Sequence, residues 1–103
     1  AETWRLLDEA WQAAGRAGRP YRMSGFWFAL GPDAEAMLGA FVRRYMGYFG
    51  DDMANATAAT VRSWNAGAIK DALRQFEDIG TDEMTLVPVS NDIAQLERLA
   101  ELL

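Results

Sequence analysis

One hundred and three residues and 11.4 kDa allow one domain with one modest core, and 50% hydrophobic content with twelve aromatic residues excludes a disordered chain. A net charge of −5 argues against a nucleic-acid or anionic-membrane partner, while the lack of cysteine and histidine excludes disulfides, thiolate chemistry and a histidine base or zinc ligand. No run approaches ~18 consecutive apolar residues and no charged-then-apolar leader opens the sequence, so a soluble, cytoplasmic domain is expected.

Ala1 to Ala14 reads as a helix, because Trp4, Leu7, Trp11 and Ala14 recur at helical spacing between polar positions. Gly15 and Gly18 offer left-handed stops, and Pro20 closes the segment. Tyr21 to Leu30, YRMSGFWFAL, reads as a strand that ends in a continuous apolar run, the pattern of burial on both faces. Gly25 inside it points to a close backbone approach or a bend. Gly31-Pro32-Asp33 then opens a helix with a broad apolar face that includes Leu38, Phe41, Val42 and Tyr45, and Gly47 or Gly50 ends it.

Asp51 to Trp64 reads as a shorter helix, against which the β-branched Thr57, Thr60 and Val61 weigh. After Asn65-Ala66-Gly67 a further helix carries a stripe of Ile69, Leu73, Phe76 and Ile79, with Gly80 where a C′ glycine belongs. Met84 to Val89, MTLVPV, reads as a short strand with Pro88 near its end, since proline lacks the ladder donor. Ser90-Asn91-Asp92 supplies cap chemistry for a last helix with Ile93, Leu96, Leu99 and Leu103 inward. The expected order is α-β-α-α-β-α, with two parallel strands joined through helices. Two parallel strands cannot bury themselves, so a slice of a larger α/β fold is expected.

The run AWQAAGRAGRP from Ala10 to Pro20, the strand GFWFALG, the helix ending YMGYFG, and the stretch from Gly67 to Leu103 carry a family likeness. In order and spacing they resemble the C-terminal part of the luciferase-like flavin-dependent oxidoreductases. That resemblance implies a (β/α)8 TIM barrel enzyme using FMN or a deazaflavin for monooxygenation or hydride transfer, with this chain supplying the last two strands and their helices. The family's early strands, active-site loops and much of its flavin phosphate pocket have no counterpart here. The resemblance therefore implies a chain inactive alone, meeting a small-molecule substrate only within a full barrel.

The chemistry-bearing residues are sparse. GRAGRP follows a helix and precedes a strand, so its glycines stop a helix rather than cradle a phosphate, and Arg16 and Arg19 default to surface roles. Asp51-Asp52 and Asp82-Glu83 are adjacent acidic pairs expected in turns, with no histidine to complete a metal set. Trp27 and Phe28 lie toward the C-terminal end of a strand, the end that carries ligands in a parallel barrel, and aromatic walls suit a flavin ring. The competing reading is packing, since one of two strand neighbours must face the helices. Ser90, just beyond the second strand, is a candidate hydrogen-bond donor to a ligand, and equally a cap. These three are the candidate cofactor-pocket residues, and no catalytic residue and no metal ligand is assigned. The rival to the barrel reading is a non-catalytic module whose strand edges and apolar faces drive self-association without a cofactor.

Overall fold

The computed structural model describes residues 2–103. It is a mixed α/β fold with five α-helices and one two-stranded parallel sheet. The elements run α1 (Glu2–Ala13), β1 (Met23–Phe28), α2 (Ala34–Met46), α3 (Asp51–Thr60), α4 (Ala66–Asp78), β2 (Glu83–Pro88) and α5 (Ala94–Leu102), with a 3-10 turn at Gly47–Phe49. Three α-helices separate the strands, matching the three helical segments read between them, whereas the order α-β-α-α-β-α counts one too few. Gly50, at φ +101°, breaks the chain after the 3-10 turn, and Asp51 and Asp52 then sit in the first turn of α3, where the helix dipole favours them. The threonines are accommodated near the end of that helix, where Thr60 Oγ1 donates to the Thr57 carbonyl at 2.8 Å.

The strands pair from Met23 opposite Glu83 to Phe28 opposite Pro88. Pro88 is the last residue of β2, so its missing donor interrupts nothing, and Val89 N–H closes the ladder on the Phe28 carbonyl at 3.1 Å. Gly25 is required by close approach: a Cβ there would lie 2.7 Å from the Thr85 carbonyl oxygen across the pair. The alternation of the strands sorts the side chains by face. Phe26, Phe28 and Leu86 turn toward α4 and α5, where they pack with Ile69, Leu73, Leu99 and Leu102. Trp27 and Ala29 turn the other way, onto Leu38, Phe41 and Val42 of α2 and Val61 beyond α3. On that second face Met23, Gly25, Glu83, Thr85 and Val87 are exposed.

The expected phase of α5 is corrected, while the stripes of α2 and α4 face inward as expected but are narrower, with Tyr45 and Ile79 exposed. Phe41 and Phe76 are half-buried rather than central, and the fully enclosed residues of their helices are Leu38, Val42 and Ile69. A sheet two strands wide covers a helix only along its middle, so the flanks of each apolar stripe stay open. In α5 the inward face is Gln95, Leu99 and Leu102, whereas Ile93, Leu96 and Leu103 are exposed. Gln95 sets that phase. Its Oε1 accepts the Leu30 N–H at 2.8 Å and its Nε2 donates to the Leu30 carbonyl at 3.0 Å, so a side-chain amide replaces a strand neighbour just beyond β1.

The fold is open. Its radius of gyration is 16.2 Å and its extents 49 × 36 × 21 Å, against about 13 Å for a compact chain of this length. Its accessible surface is 6,975 Å2, roughly 1,200 Å2 more than a compact monomer of this mass presents. Tyr45, Tyr48, Phe49 and Met53 are among the large apolar side chains left exposed, Tyr48 at 94%.

The N-terminal end of the sheet is clamped by charge. Arg19 grips Asp82 through two nitrogens, at 2.9 and 2.8 Å, and Asp82 Oδ2 also accepts the Arg22 backbone N–H at 2.9 Å. These bonds, led by the Arg19 guanidinium, hold the Asp82 carboxyl down at about 2, below its ordinary value. A carboxyl whose folded-state value is depressed stabilises fully above its unfolded value and loses that contribution as pH falls through the folded one. The melting temperature should therefore drop between about pH 4 and pH 2, and drop less steeply in Asp82→Asn. Equal slopes in the two proteins would remove the clamp from the explanation of acid sensitivity.

Candidate functional site

A groove of about 410 Å3 opens along the C-terminal half of the sheet, lined by Gly25, Phe26, Trp27, Val61, Ser63 and Val87. β1 supplies its floor, β2 contributes Val87, and the segment after α3 forms the far wall. Ser63 fixes that wall. Its Oγ donates to the Trp27 carbonyl at 2.6 Å, and its own carbonyl accepts the Ala29 N–H at 3.2 Å. For one residue, Ser63 acts as a strand neighbour on the edge of β1 that β2 leaves free. The Arg22 and Phe28 carbonyls bond toward β2, which turns the backbone groups of Met23 and Gly25 to that same free edge.

Behind the groove stands an aromatic group. The Trp27 ring meets Phe41 edge-on at 5.6 Å and Tyr45 at 4.9 Å, and Phe41 stacks on Tyr45 at 6.1 Å. Trp27 is half-buried, so one side of its indole is held by α2 while the rest borders the groove. Contacts of this kind fix ring orientation, which is what a flat ligand needs from a wall. No titratable side chain lines the groove. Its lining is apolar side chains, one hydroxyl and strand backbone.

The candidate residues separate. Trp27 borders the groove. Its neighbour Phe28 faces the opposite way and is fully enclosed with Leu30, Ile69 and Leu99, so what it contributes is packing. Ser90 does not line the groove; its Oγ accepts the Asp92 N–H at 3.2 Å, inside the turn that leads to α5. The helix start itself is held by Asp92, whose Oδ1 accepts the Ala94 N–H at 3.0 Å. Arg19 is engaged with Asp82, and the Arg16 guanidinium lies 3.9 Å from the centre of the Trp11 ring. The sequence reading places Val61 and Ser63 inside a helix from Asp51 to Trp64; α3 instead ends at Thr60, which frees both for the wall, and the bond that holds Ser63 reaches a carbonyl 36 residues away.

A second groove, of about 360 Å3, runs between α2 and α3, with Arg43, Arg62 and Glu35 at its rim and Trp64 in its wall. It shares Val61 with the first. Among the described residues no three histidine, cysteine, aspartate or glutamate side chains gather as a metal set, and no helix is long and apolar enough to cross a membrane.

No family model, curated protein or solved structure matches this chain.

Proposed function

We propose that this chain is the C-terminal portion of a luciferase-like flavin- or deazaflavin-dependent oxidoreductase, with the Trp27 groove forming part of the wall for the flat cofactor ring. The observation that carries this reading is the position of the groove. It lies toward the C-terminal ends of two parallel strands, on the face opposite α4 and α5, where a (β/α)8 barrel keeps its ligand. In that frame α4 and α5 belong to the outer helical layer, α2 and α3 lie over the mouth, and the free edges of β1 and β2 adjoin the remaining strands.

The residues fit a ring better than a whole cofactor. Trp27, Val61 and Val87 offer apolar surface, but the groove holds no cation for a phosphate. The bound cofactor would supply the redox chemistry. This chain would hold and orient the ring and keep water from the Trp27 side, which leaves it without turnover of its own.

The test is a titration of FMN, and separately of a deazaflavin, against the chain and its Trp27→Ala variant. Saturable quenching of cofactor fluorescence is expected, weakened about tenfold by the substitution, as the loss of one stacking partner implies. No saturable quenching, or identical curves for the two proteins, would overturn the reading. With reduced FMN, oxygen and an aldehyde, product should not exceed a boiled control.

The surplus of exposed surface favours a second reading, a non-catalytic α/β module that self-associates without a cofactor. It predicts a dimer or larger species in sedimentation, together with a blank flavin titration.

A further inference from the structure

We propose that the groove between α2 and α3 binds a small aryl carboxylate, with Arg43 and Arg62 taking the charge and Trp64 the ring. The groove holds about 360 Å3, an ordinary size for a small-molecule site. Its depth is apolar: Leu38 is fully enclosed, and Ala58, Val61 and Trp64 pack in the same cluster. Trp64 is half-buried and also lines the groove, so part of its indole is held by the core while part borders the open space. An aromatic wall of that kind suits a flat ring.

Charge names the rest of the ligand. Arg5, Arg19, Arg22 and Arg74 pair with carboxylates elsewhere in the chain. Among the described residues Arg43 and Arg62 pair with none, although Glu35 stands at the same rim. Two guanidinium groups against one carboxylate leave the lining with one net positive charge, in a chain of net charge −5. That surplus matches a monoanion, and Glu35 disfavours a dianion.

Both guanidinium groups sit beside lining residues. A Cβ at Gly39 would lie 3.4 and 3.5 Å from the two terminal nitrogens of Arg43, so that guanidinium lies back over the Gly39 turn of α2. Arg62 Nη1 donates to the Ala59 and Val61 carbonyls at the end of α3, which holds the side chain in place. Its Nε and Nη2 make no hydrogen bond among the described residues. Service at a helix C-terminus explains Nη1 of Arg62, but neither the open nitrogens nor a second arginine on the same groove. Open guanidinium nitrogens take carboxylate oxygens well. The inference goes beyond the cofactor reading and does not depend on it, since the two grooves have only Val61 in common.

Benzoate is the probe. Added to the isotope-labelled chain, it should shift the Trp64 indole N–H and the amides of Gly39, Arg43 and Val61 saturably, with a dissociation constant of roughly 1 mM. The Trp27 indole should stay in place. Benzamide, the same ring without the charge, should bind at least about tenfold more weakly. Arg43→Gln and Arg62→Gln should each weaken benzoate about tenfold, whereas Arg44→Gln, just outside the lining, should leave it unchanged. The benzamide comparison needs no variant, so a substitution that unfolds α3 does not remove the test. Equal binding of benzamide and benzoate, shifts confined to the Trp27 groove, or no saturable shift at about 10 mM benzoate would overturn the proposal. A loss in Arg44→Gln as large as in Arg43→Gln would do the same. So would inorganic phosphate that displaces benzoate at equal concentration, because the groove would then be a general oxyanion site.

Discussion

Phe28→Ala should unfold much of the population at room temperature. Phe28 is fully enclosed where β1 meets α4 and α5, and it links Leu30, Ile69 and Leu99 into one cluster. Truncating a buried phenylalanine costs about 3–5 kcal/mol, because the transfer energy is lost and a cavity remains. A chain of this length holds roughly 5–15 kcal/mol in total, and an open fold with two small core clusters belongs at the low end. Urea denaturation followed by circular dichroism reads the change directly. Trp27→Ala, one residue earlier on the half-covered face, should cost clearly less. Equal losses for the two would mean that the faces of β1 are assigned the wrong way round.

Gln95→Leu should be the second most damaging single change, although it replaces a polar side chain with an apolar one of similar size. Gln95 is 1% exposed and answers both backbone groups of Leu30. After the substitution Arg98 still donates to the Leu30 carbonyl at 3.1 Å, but the buried Leu30 N–H has no acceptor. An orphaned donor costs about 1–3 kcal/mol, and losing the second bond adds about 1. The midpoint of denaturation should fall accordingly, and amide hydrogen exchange at Leu30 should accelerate more than at Phe28. A variant as stable as its parent would show that the amide pair is dispensable.

Gln95 also marks the limit of what the sequence discloses. The order of strands, their parallel pairing, the Gly25 approach and the Gly80 stop follow from local rules: apolar runs, turn residues and the missing donor of proline. These rules act within a few residues, so they are readable in a few residues. The phase of α5 is different. A glutamine scores as surface in any periodicity, and only the unpaired backbone of Leu30, 65 residues away, makes it the buried position. Phe41 and Phe76 mislead for the opposite reason. Their stripes are legible, but the width of the sheet they pack on is not.

The groove shows the same division. Trp27 is visible as an aromatic at a strand end, while the strand alone does not say which of Trp27 and Phe28 faces out. Ser63 closes the wall through long-range bonds that no local pattern announces. The tertiary arrangement thus turns one of three candidate residues into a groove wall and gives the other two structural work.

The most direct measurement is a two-dimensional amide spectrum of the labelled chain during addition of FMN. Shifts should concentrate at Gly25, Trp27, Val61, Ser63 and Val87, with the Trp27 indole N–H among them, while Ile69, Leu99 and the Arg19–Asp82 end of the sheet stay in place. An unchanged spectrum, or shifts gathered around Arg43 and Arg62 between α2 and α3 with the Trp27 groove silent, would contradict a flavin wall on the open face of this sheet.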